Sequence, residues 1–295
     1  MRLVLIVNPF ASAVSEERVR AVEEELARTA EVRTVLTERA RHAVELAAAA
    51  EEEAIVVYSG DGGFNEVLNG VGEGVSVGFL PGGGTNVLPR ALGLPRGAVE
   101  AARQVAGALQ EGRTRTISLG RVNGRRFAFA AGIGLDAELI RSVDALGRSA
   151  DGKRPGDLAF LAAATRLLAS RRGRLEPALE VRGLGRAAFA LVANTDPYSF
   201  VGSRPLHVAP EARFELGLDV VAPERVTPMN LPRLLRSVFS GRGQAEADDI
   251  VYAHDVDRIE VAADRPLPLQ ADGEDLGDVD VVVFEAERSA VLVLI

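Results

Sequence analysis

Residues 54–70 read AIVVYSGDGGFNEVLNG, and this stretch decides the fold. Residues 54–58 form a short apolar run, which has the length of a buried strand. A glycine-rich turn follows at residues 59–63. From Phe64 to Val71, apolar residues then recur at i, i+3, i+4 and i+7, which is the spacing of a helix with one buried face. A strand, a glycine turn and a helix in this order predict one βα unit of a parallel sheet.

The same alternation extends over the first 112 residues. Apolar runs that predict strands lie at residues 3–7, 32–36, 54–58 and 75–80. Helical spacing is found at residues 15–30, 39–53, 64–71 and 97–112. Because strand and helix alternate four times, we predict an α/β domain with a parallel sheet that is covered on both faces.

Beyond residue 112 the predicted strands lie closer together, and turn residues separate most of them. Asn123-Gly124 between two of these runs is a favourable hairpin turn. The predicted strands are residues 116–122, 125–131, 179–182, 187–193, 218–222, 251–253, 259–262, 267–270, 279–284 and 290–295. Helices are predicted at residues 137–146, 156–171 and 230–240. This part therefore predicts a largely antiparallel β domain, and we place the boundary near residue 117.

The composition describes a chain with a substantial core and an acidic balance. Of its 295 residues, 47% are apolar and 26% are charged, and the net charge is −8. A nucleic-acid-binding protein usually carries a basic surface, so this balance counts against that class. Cysteine is absent, which excludes disulfides and thiolate zinc sites. Lys153 is the only lysine, and a lysine-containing Walker-type phosphate loop has no candidate.

The same sequence leads us to expect a cytoplasmic protein. The apolar run at residues 3–7 is short and ends in Asn-Pro, which is unlike a signal peptide. No run of about 18 uncharged apolar residues is present, so we expect no membrane-spanning helix. The three histidines, His42, His207 and His254, lack metal-ligand spacing, and we interpret them as structural or surface residues.

Two glycine-rich turns follow consecutive strands of the first domain, at residues 59–63 and 81–86. Ligands of open α/β sheets bind at the carboxyl ends of the strands, where these turns lie. Glycine lets backbone N–H groups approach an anion, so two such turns favour a polyphosphate ligand. The alternative is two tight turns in which glycine only provides positive φ. Asp61 is suited to reach a metal–phosphate complex, although it also suits a helix cap.

Residues 59–70, SGDGGFNEVLNG, resemble the Gly-Gly-Asp-Gly-Thr-x-Asn-Glu signature of the diacylglycerol, sphingosine and ceramide kinases. Further similar segments follow that family's order along the chain: NPFAS at 8–12, TE at 37–38, residues 81–95, AGIGLDAE at 131–138 and QADGE at 270–274. The resemblance covers essentially the whole chain. It rests on several motifs in the right order, which is far more specific than one glycine motif.

This resemblance implies a two-domain, ATP-dependent lipid kinase. Residues 1–117 would form a Rossmann-like nucleotide-binding domain of the NAD kinase and phosphofructokinase type, and the last strand, residues 286–295, would return to it. Residues 118–285 would form an antiparallel β-sandwich that binds the lipid. ATP and Mg²⁺ are the implied cofactors, and the substrate would be a diacylglycerol-like or long-chain-base-like lipid at the membrane surface.

The resemblance also assigns site residues. The implied nucleotide contacts are Asn8, Pro9, Phe10, Ala11, Ser12, Thr37, Gly60, Asp61, Gly62, Gly63, Asn65, Glu66, Gly83, Gly84, Thr85 and Asn86. Asp61 would hold the Mg²⁺ of Mg-ATP through water and would take part in catalysis. Asp272 and Glu274 are the candidates for the proton-accepting carboxylate, and the sequence does not decide between them. Asp136 and Glu138 would contact the lipid head group, with a helix start as the alternative.

Several positions depart from the family pattern. Gly63 and Gly84 stand where threonine is usual, Ala11-Ser12 replaces Ser-Gly, and Val87 stands where Asp is frequent. Backbone donors survive these changes, so ATP binding need not be lost, but the lost side chains predict weaker or altered nucleotide affinity. Bacterial members often carry a structural Mg²⁺ site at an Asp-Asp-Gly turn, which corresponds here to Arg213, Leu216 and Leu218. Since Leu216 cannot supply an oxygen ligand, we expect this metal site to be absent or very weak.

Three questions stay open at this point. Residues 141–186 contain ten basic and five acidic residues, which indicates either a solvated helix face or a face that docks on anionic lipid. An exposed edge strand in the β domain could also pair two copies into a homodimer. For the function, the alternatives are an NAD kinase, which has a similar glycine loop, and a catalytically weakened lipid- or nucleotide-binding protein.

Overall fold

The computed structural model describes residues 1–147 and 157–295 of the chain. It divides into two compact units, one formed by Met1–Leu119 with Arg288–Ile295 and the other by Gly120–Glu287. Two strands, Thr114–Val122 and Glu274–Leu294, have residues in both units. No helix among the described residues is long and apolar enough to cross a membrane.

The first unit alternates strands and helices. Its elements are β1 (Arg2–Val7), α1 (Glu16–Leu26), β2 (Glu31–Leu36), α2 (His42–Ala48), β3 (Ala54–Ser59), α3 (Asp61–Gly70), β4 (Ser76–Pro81), α4 (Val87–Ala91) and α5 (Ala98–Glu111). The strands are parallel in the order β2-β1-β3-β4, and the last residues of the chain add a further parallel strand beside β4. β3 is buried along its whole length, as expected for a central strand with both faces covered.

Local sequence sets where the helices of this unit begin. The Ser15 hydroxyl caps α1 by accepting the N–H of Arg18 at 3.4 Å, and two glutamates occupy the first turn, where the helix dipole favours them. Val22 and Leu26 of α1 are fully buried in the same core as Val105 of α5. The amphipathic spacing of both helices therefore packs them against the sheet.

The second unit is mostly antiparallel. Its elements are β5 (Thr114–Val122), β6 (Arg125–Phe127), β7 (Ala130–Ile133), α6 (Leu135–Asp144), α7 (Asp157–Ser170), β8 (Leu179–Val181), β9 (Gly185–Ala187), β10 (Ala190–Ala193), β11 (Ser199–Val201), β12 (Arg204–Leu206), β13 (Leu218–Pro223), α8 (Leu231–Ser240), β14 (Ile250–Val256), β15 (Arg258–Ala271) and β16 (Glu274–Leu294). The strand order is β14-β13-β10-β7-β15-β16, with β8 also paired to β15. Inward-facing apolar side chains of these strands form one core.

Two tight hairpins shape this antiparallel part. Asn123 and Gly124 have φ values of 49° and 78°, and Val122 pairs with Arg125 across them. Asp272 and Gly273 have φ values of 48° and 76° between β15 and β16. Positive φ at both central residues is the geometry of a type I′ turn, which suits two-residue hairpins. The predicted Asn123-Gly124 turn is confirmed, and the Asp-Gly-Glu segment lies at a second turn of the same kind.

The predicted architecture, an α/β domain followed by an antiparallel β domain, is confirmed, with differences in detail. The helix predicted over residues 39–53 is only α2, and the predicted strands 259–262 and 267–270 are parts of β15. The sequence patterns did not show α4 or the β11–β12 hairpin. The helix predicted over residues 156–171 corresponds to α7, but its first residue and Lys153 lie outside the described residues.

Candidate functional site

Three loops meet at the carboxyl edge of the parallel sheet in the first unit. β1 has β2 on one side and β3 on the other, so the strand order reverses beside β1, where ligands of such sheets bind. The Asn8 N–H donates to the Tyr58 carbonyl at 3.0 Å, and the Gly82 N–H donates to the Ser59 carbonyl at 2.7 Å. The Ala13 N–H donates to the Gly82 carbonyl at 2.8 Å. These bonds join the loops that follow β1, β3 and β4.

The two glycine loops touch through their backbones. A Cβ atom on Gly83 would lie 2.8 Å from the Cα atom of Gly60, and a Cβ atom on Gly60 would lie 3.2 Å from the Cα atom of Gly83. The first distance is shorter than real Cβ contacts allow, so this approach depends on glycine. The glycines therefore serve to bring the two loops together as well as to expose backbone N–H groups.

Asp61 ties the first loop to the helix that follows the second. Its Oδ2 accepts the N–H of Val87 at 3.0 Å, and its Oδ1 accepts the N–H of Leu88 at 3.1 Å. The carboxylate thus caps the first turn of α4, where the helix dipole favours a negative charge. The helix-cap alternative for Asp61 is present in the structure, on a helix that the sequence patterns did not predict.

Asn86 closes the second loop on itself. Its Oδ1 accepts the N–H of Gly83, and its Nδ2 donates to the carbonyl of Gly83, both at 2.8 Å. Asn86 itself has a φ of 52°, a left-handed conformation that asparagine tolerates well. Gly84, at the tip of this loop, has no atoms within 4 Å of the place where a Cβ would lie.

Glu66 holds a neighbouring helix in place. Its Oε1 accepts the N–H of Arg41 at 2.9 Å, and its Oε2 accepts the N–H of Ala43 at 3.2 Å. Arg41 is the N-cap of α2 but has no capping side chain of its own, so Glu66 takes that role. Asn65 is 2% exposed, and its side chain accepts from Asn69 at 3.1 Å. Both predicted nucleotide contacts therefore hold the structure around the loop.

The other predicted nucleotide contacts lie at the ends of β1 and β2. After β1, the Phe10 N–H donates to Asn8 Oδ1 at 3.0 Å, and the Phe10 ring is 71% exposed. Thr37 is buried just after β2, and its N–H donates to the Val7 carbonyl at 2.8 Å. These positions share the sheet edge that carries the glycine loops.

In the second unit, Asp272 is a buried turn residue whose carboxylate is engaged by backbone donors. Its Oδ2 accepts the N–H of Ala128 at 2.6 Å, and its Oδ1 accepts the N–H groups of Phe129 at 3.0 Å and Ala130 at 3.2 Å. Only 7% of the residue is exposed. Asp272 therefore fixes the segment between β6 and β7 against the β15–β16 turn.

Glu274 differs from Asp272 in its exposure. Its side chain is 56% exposed and forms an ion pair with Arg125 at the start of β6. The two candidate carboxylates thus lie two residues apart, one enclosed by N–H groups and the other open to solvent. Of the pair, Glu274 has the carboxylate that an incoming molecule can reach.

Asp136 is part of a polar network that the sequence patterns did not show. Its Oδ2 accepts hydrogen bonds from the Tyr198 hydroxyl and from Gln270 Nε2, both at 2.6 Å. Gln270 Oε1 in turn accepts the N–H of Gly273 at 2.9 Å, which connects Asp136 to the Asp-Gly-Glu turn. Burial raises the pKa of Asp136, and the two hydrogen bonds lower it in part. Tyr198 stands outside any motif, whereas Gln270 is the first residue of the QADGE segment.

Within the described part of residues 141–186, several arginines pair with acidic side chains from outside that segment. Four of its arginines form ion pairs: Arg171 with Glu138, Arg141 with Asp275 and Asp278, Arg182 with Glu260, and Arg186 with Asp264. Arg171, the residue after the end of α7, forms an ion pair at 2.5 Å with Glu138, the predicted head-group contact. Part of the segment, residues 148–156, lies outside the described residues.

The turn that corresponds to the family's structural metal site is held by protein groups. The Leu216 N–H donates to the Arg213 carbonyl at 3.0 Å, and the Gly217 N–H donates to Asp255 Oδ1 at 2.7 Å. Neither Leu216 nor Leu218 offers a side-chain oxygen. Within residues 1–147 and 157–295, no group of three or more His, Cys, Asp or Glu side chains could hold a metal ion.

The chain matches the diacylglycerol kinase catalytic domain over residues 2–122. It matches the YegS C-terminal NAD kinase beta sandwich-like domain over residues 130–295. The protein belongs to the diacylglycerol kinase family.

A relative agrees with this assignment, and two solved structures agree with the fold. The chain is 30% identical over 241 residues to a diacylglycerol kinase of Bacillus subtilis (strain 168), which covers 80% of this chain and 75% of that protein. The crystal structure of a diacylglycerol kinase from Bacillus anthracis str. Sterne is similar with a TM-score of 0.73 and 17% identity, over 99% of this chain and 96% of the other. A second structure from that strain gives 0.77 and 19% identity, over 99% and 94%. At these identities the structures support the fold alone.

Proposed function

We propose that this protein is an ATP-dependent lipid kinase that transfers the γ-phosphate to a hydroxyl of a diacylglycerol-like or long-chain-base-like lipid. One observation carries the proposal. The two glycine loops lie in backbone contact at the edge of the sheet, and a Cβ at Gly83 would lie 2.8 Å from Gly60. Glycine loops at the start of a helix are suited to bind an anion through backbone N–H groups, and membership in the diacylglycerol kinase family supports ATP as the anion.

The residues at this edge fit a Mg²⁺-bound nucleotide. The first turn of α3 leaves backbone N–H groups that are suited to phosphate oxygens. Asp61 accepts the N–H groups of Val87 and Leu88, and its carboxylate would reach the Mg²⁺ of Mg-ATP through a water of the metal shell. When bound, Mg-ATP would supply the phosphoryl group and neutralise the charge that develops on it.

The second unit would supply the base. A lipid hydroxyl needs a carboxylate that it can approach, and Glu274 is exposed whereas Asp272 is enclosed by three N–H donors. We therefore assign proton acceptance to Glu274 and the positioning of its turn to Asp272. Asp136, joined to this turn through Gln270, is the proposed head-group contact. The proposed substrate lies at a membrane surface, which the protein would visit from the cytoplasm.

The test is transfer of label from γ-labelled ATP with Mg²⁺ to a panel of acceptors. The panel contains diacylglycerol, monoacylglycerol, sphingosine, ceramide, undecaprenol and NAD, and the Glu274→Gln variant runs beside the wild type. We expect a labelled lipid, and we expect Glu274→Gln to lower its yield by about 10²-fold or more. Glu285→Gln provides the matched control, because this exposed carboxylate pairs with Arg258 at the other end of the β15–β16 hairpin, away from the turn that carries Glu274.

Each outcome decides between the alternatives. A labelled lipid names the acceptor and supports the proposal. Labelled NAD would instead identify an NAD kinase. Binding of ATP or lipid without any labelled product would favour the catalytically weakened binding protein, in which Gly63 and Gly84 have replaced threonine side chains.

A further inference from the structure

Ser59 carries a buried hydroxyl that has no partner. It is the last residue of β3, directly before the first glycine loop, and only 1% of it is exposed. Its Oγ is a buried side-chain oxygen without a hydrogen-bond partner among the described residues. Buried hydroxyls are normally bonded, so an unpaired one reduces the stability of the protein in this state. A group of this kind is expected where a ligand supplies the missing bond.

The Ser59 side chain occupies the place of a side chain at position 63. A Cβ atom on Gly63 would lie 2.1 Å from Ser59 Oγ and 2.7 Å from Ser59 Cβ. In the Gly-Gly-Asp-Gly-Thr signature that residues 59–63 resemble, glycine stands at position 59 and threonine at position 63. In this chain the hydroxyl residue is at position 59, as serine, and the glycine is at position 63. The threonine hydroxyl at position 63 is thus absent, and the Ser59 hydroxyl occupies the space beside Gly63 where that side chain would lie.

The surrounding backbone is suited to an anion. The first hydrogen bond of α3 runs from the Phe64 N–H to the Gly60 carbonyl at 3.1 Å, so the helix gives the N–H groups of Gly62 and Gly63 no partner. α3 spans ten residues, Asp61–Gly70, so the positive end of a full helix dipole adds to these donors. Ser59 Oγ lies against this first turn, at Gly63.

We propose that the Ser59 hydroxyl belongs to the phosphate-binding site of the first loop and forms its hydrogen bond when the nucleotide is bound. The inference rests on the proposed function, because the anion is taken to be a phosphate of ATP. Ser59 thereby replaces the side chain that Gly63 lacks, and Gly63 is required because Ser59 fills its space. The hydroxyl contributes to nucleotide affinity and not to the stability of the free protein.

The Ser59→Ala variant removes the hydroxyl without adding volume. We expect ATP binding with Mg²⁺, measured by calorimetry, to weaken by about tenfold, which is the usual effect of losing one hydrogen bond to a charged group. The KM for ATP should rise while kcat stays within a few-fold of wild type. The melting temperature of the nucleotide-free variant should stay the same or rise, because the substitution removes an unpaired polar group.

Ser118→Ala is the matched control. Ser118 is a second buried serine of the same unit, 1% exposed, but its Oγ accepts the N–H of Ser289 at 3.4 Å. Its removal should lower the melting temperature and leave ATP affinity unchanged. Opposite responses of the two serines distinguish a ligand-directed hydroxyl from a structural one.

Placing the family's residues at positions 59 and 63 gives an independent test of the role of Ser59. Gly63→Thr alone should lose most ATP affinity, because its Cβ would collide with Ser59. The double variant Ser59→Gly with Gly63→Thr should recover affinity to within a few-fold of wild type. This recovery is a coupling between two sites that a general loss of folding does not produce.

Three results would count against the inference. Wild-type affinity in Ser59→Ala, or a double variant no better than Gly63→Thr, would overturn it while the proposed function stands. A wild-type protein that binds no ATP would overturn the proposed function and this inference together. Titration with ADP and with inorganic pyrophosphate in parallel shows whether the lost affinity belongs to the phosphate chain.

Discussion

Single carboxylates in this protein have opposite electrostatic roles, and Asp136 and Asp275 show the contrast. Burial raises the pKa of Asp136 above its ordinary value of 3.8. Hydrogen bonding to the Arg141 guanidinium lowers the pKa of Asp275 below the same value. Each shift makes the free energy of unfolding depend on pH, with opposite signs.

The first prediction concerns Asp136→Asn. Because the folded protein holds the Asp136 proton more tightly than the unfolded chain, its contribution is fully present below pH 3.8 and is lost as pH rises through the raised pKa. An asparagine oxygen can accept the same bonds from Tyr198 and Gln270 without a charge. We expect Asp136→Asn to be more stable than wild type at pH 7, with the difference vanishing towards pH 4, as measured by urea unfolding over a pH series.

Asp275→Asn is the control of opposite sign for that series. The lowered pKa of Asp275 stabilises the protein above pH 3.8, and this contribution is lost as pH falls through the lowered value. Its asparagine variant should therefore be less stable than wild type at pH 7. If Asp136→Asn were also less stable at every pH, the buried carboxylate would be a net favourable charge and the first prediction would be wrong.

The second prediction separates the two carboxylates of the acidic turn. Asp272→Asn places an amide where three backbone N–H groups converge, and each donor left without an acceptor costs about 1–3 kcal/mol. We expect it to lose stability and activity together. Glu274→Gln, at an exposed position, should retain the melting temperature while its activity falls. Thermal unfolding and label transfer on the same preparations check both variants, and an active Glu274→Gln would refute our assignment of the base.

At the scale of helices and strands, side chains from one element hold the end of another. Glu66 of α3 accepts the N–H groups of Arg41 and Ala43 at the start of α2. The third prediction is that Glu66→Ala lowers the free energy of unfolding by about 1–2 kcal/mol, the usual effect of losing a helix cap. Hydrogen exchange of the α2 amides should accelerate more than that of the central strand β3.

Glu45→Ala provides the control within α2 itself. Glu45 forms an exposed ion pair with Arg39, with side chains 56% and 58% exposed, and such pairs add little to stability. Its removal should leave the hydrogen exchange of α2 almost unchanged. An equal effect of the two variants would mean that Glu66 is not the cap of this helix.

Hydrophobic periodicity predicted the long helices and strands, because the apolar positions of each are the ones that become buried. It was weakest where contacts between distant parts of the chain determine the local structure. The five-residue α4 has no periodic signal and is capped by Asp61 from 26 residues earlier in the chain. Asp264, Arg265 and Pro266 interrupt the apolar pattern and divided β15 into two predicted strands, and the register of β15 against β16 shifts at the same place. The residues of the glycine loops allow a phosphate site to be predicted there, whereas Tyr198 gives no sequence signal, since only the fold brings it to Asp136.

At the scale of the whole molecule, hydrogen bonds within the second unit hold the turn at which the family resemblance places a structural metal site. Buried Asp219 accepts the N–H of Asp255 at 3.0 Å and the Tyr252 hydroxyl at 3.2 Å, and His254 Nδ1 lies 2.9 Å from it. Asp255 also accepts the N–H of Gly217 in the turn where the family's Asp-Asp-Gly segment would lie. These bonds give the acidic groups near Leu216 partners other than a cation.

The fourth prediction follows from this arrangement. The melting temperature of the nucleotide-free protein should be the same in EDTA and in millimolar Mg²⁺, because Leu216 supplies no oxygen ligand. The melting temperature of the Leu216→Asp variant should rise with the Mg²⁺ concentration, because an ion that binds only the folded state stabilises that state. Leu216→Asn, of similar size but neutral, controls for the change in packing. A wild-type protein that loses stability in EDTA and regains it with Mg²⁺ would show that the second unit holds a structural cation after all.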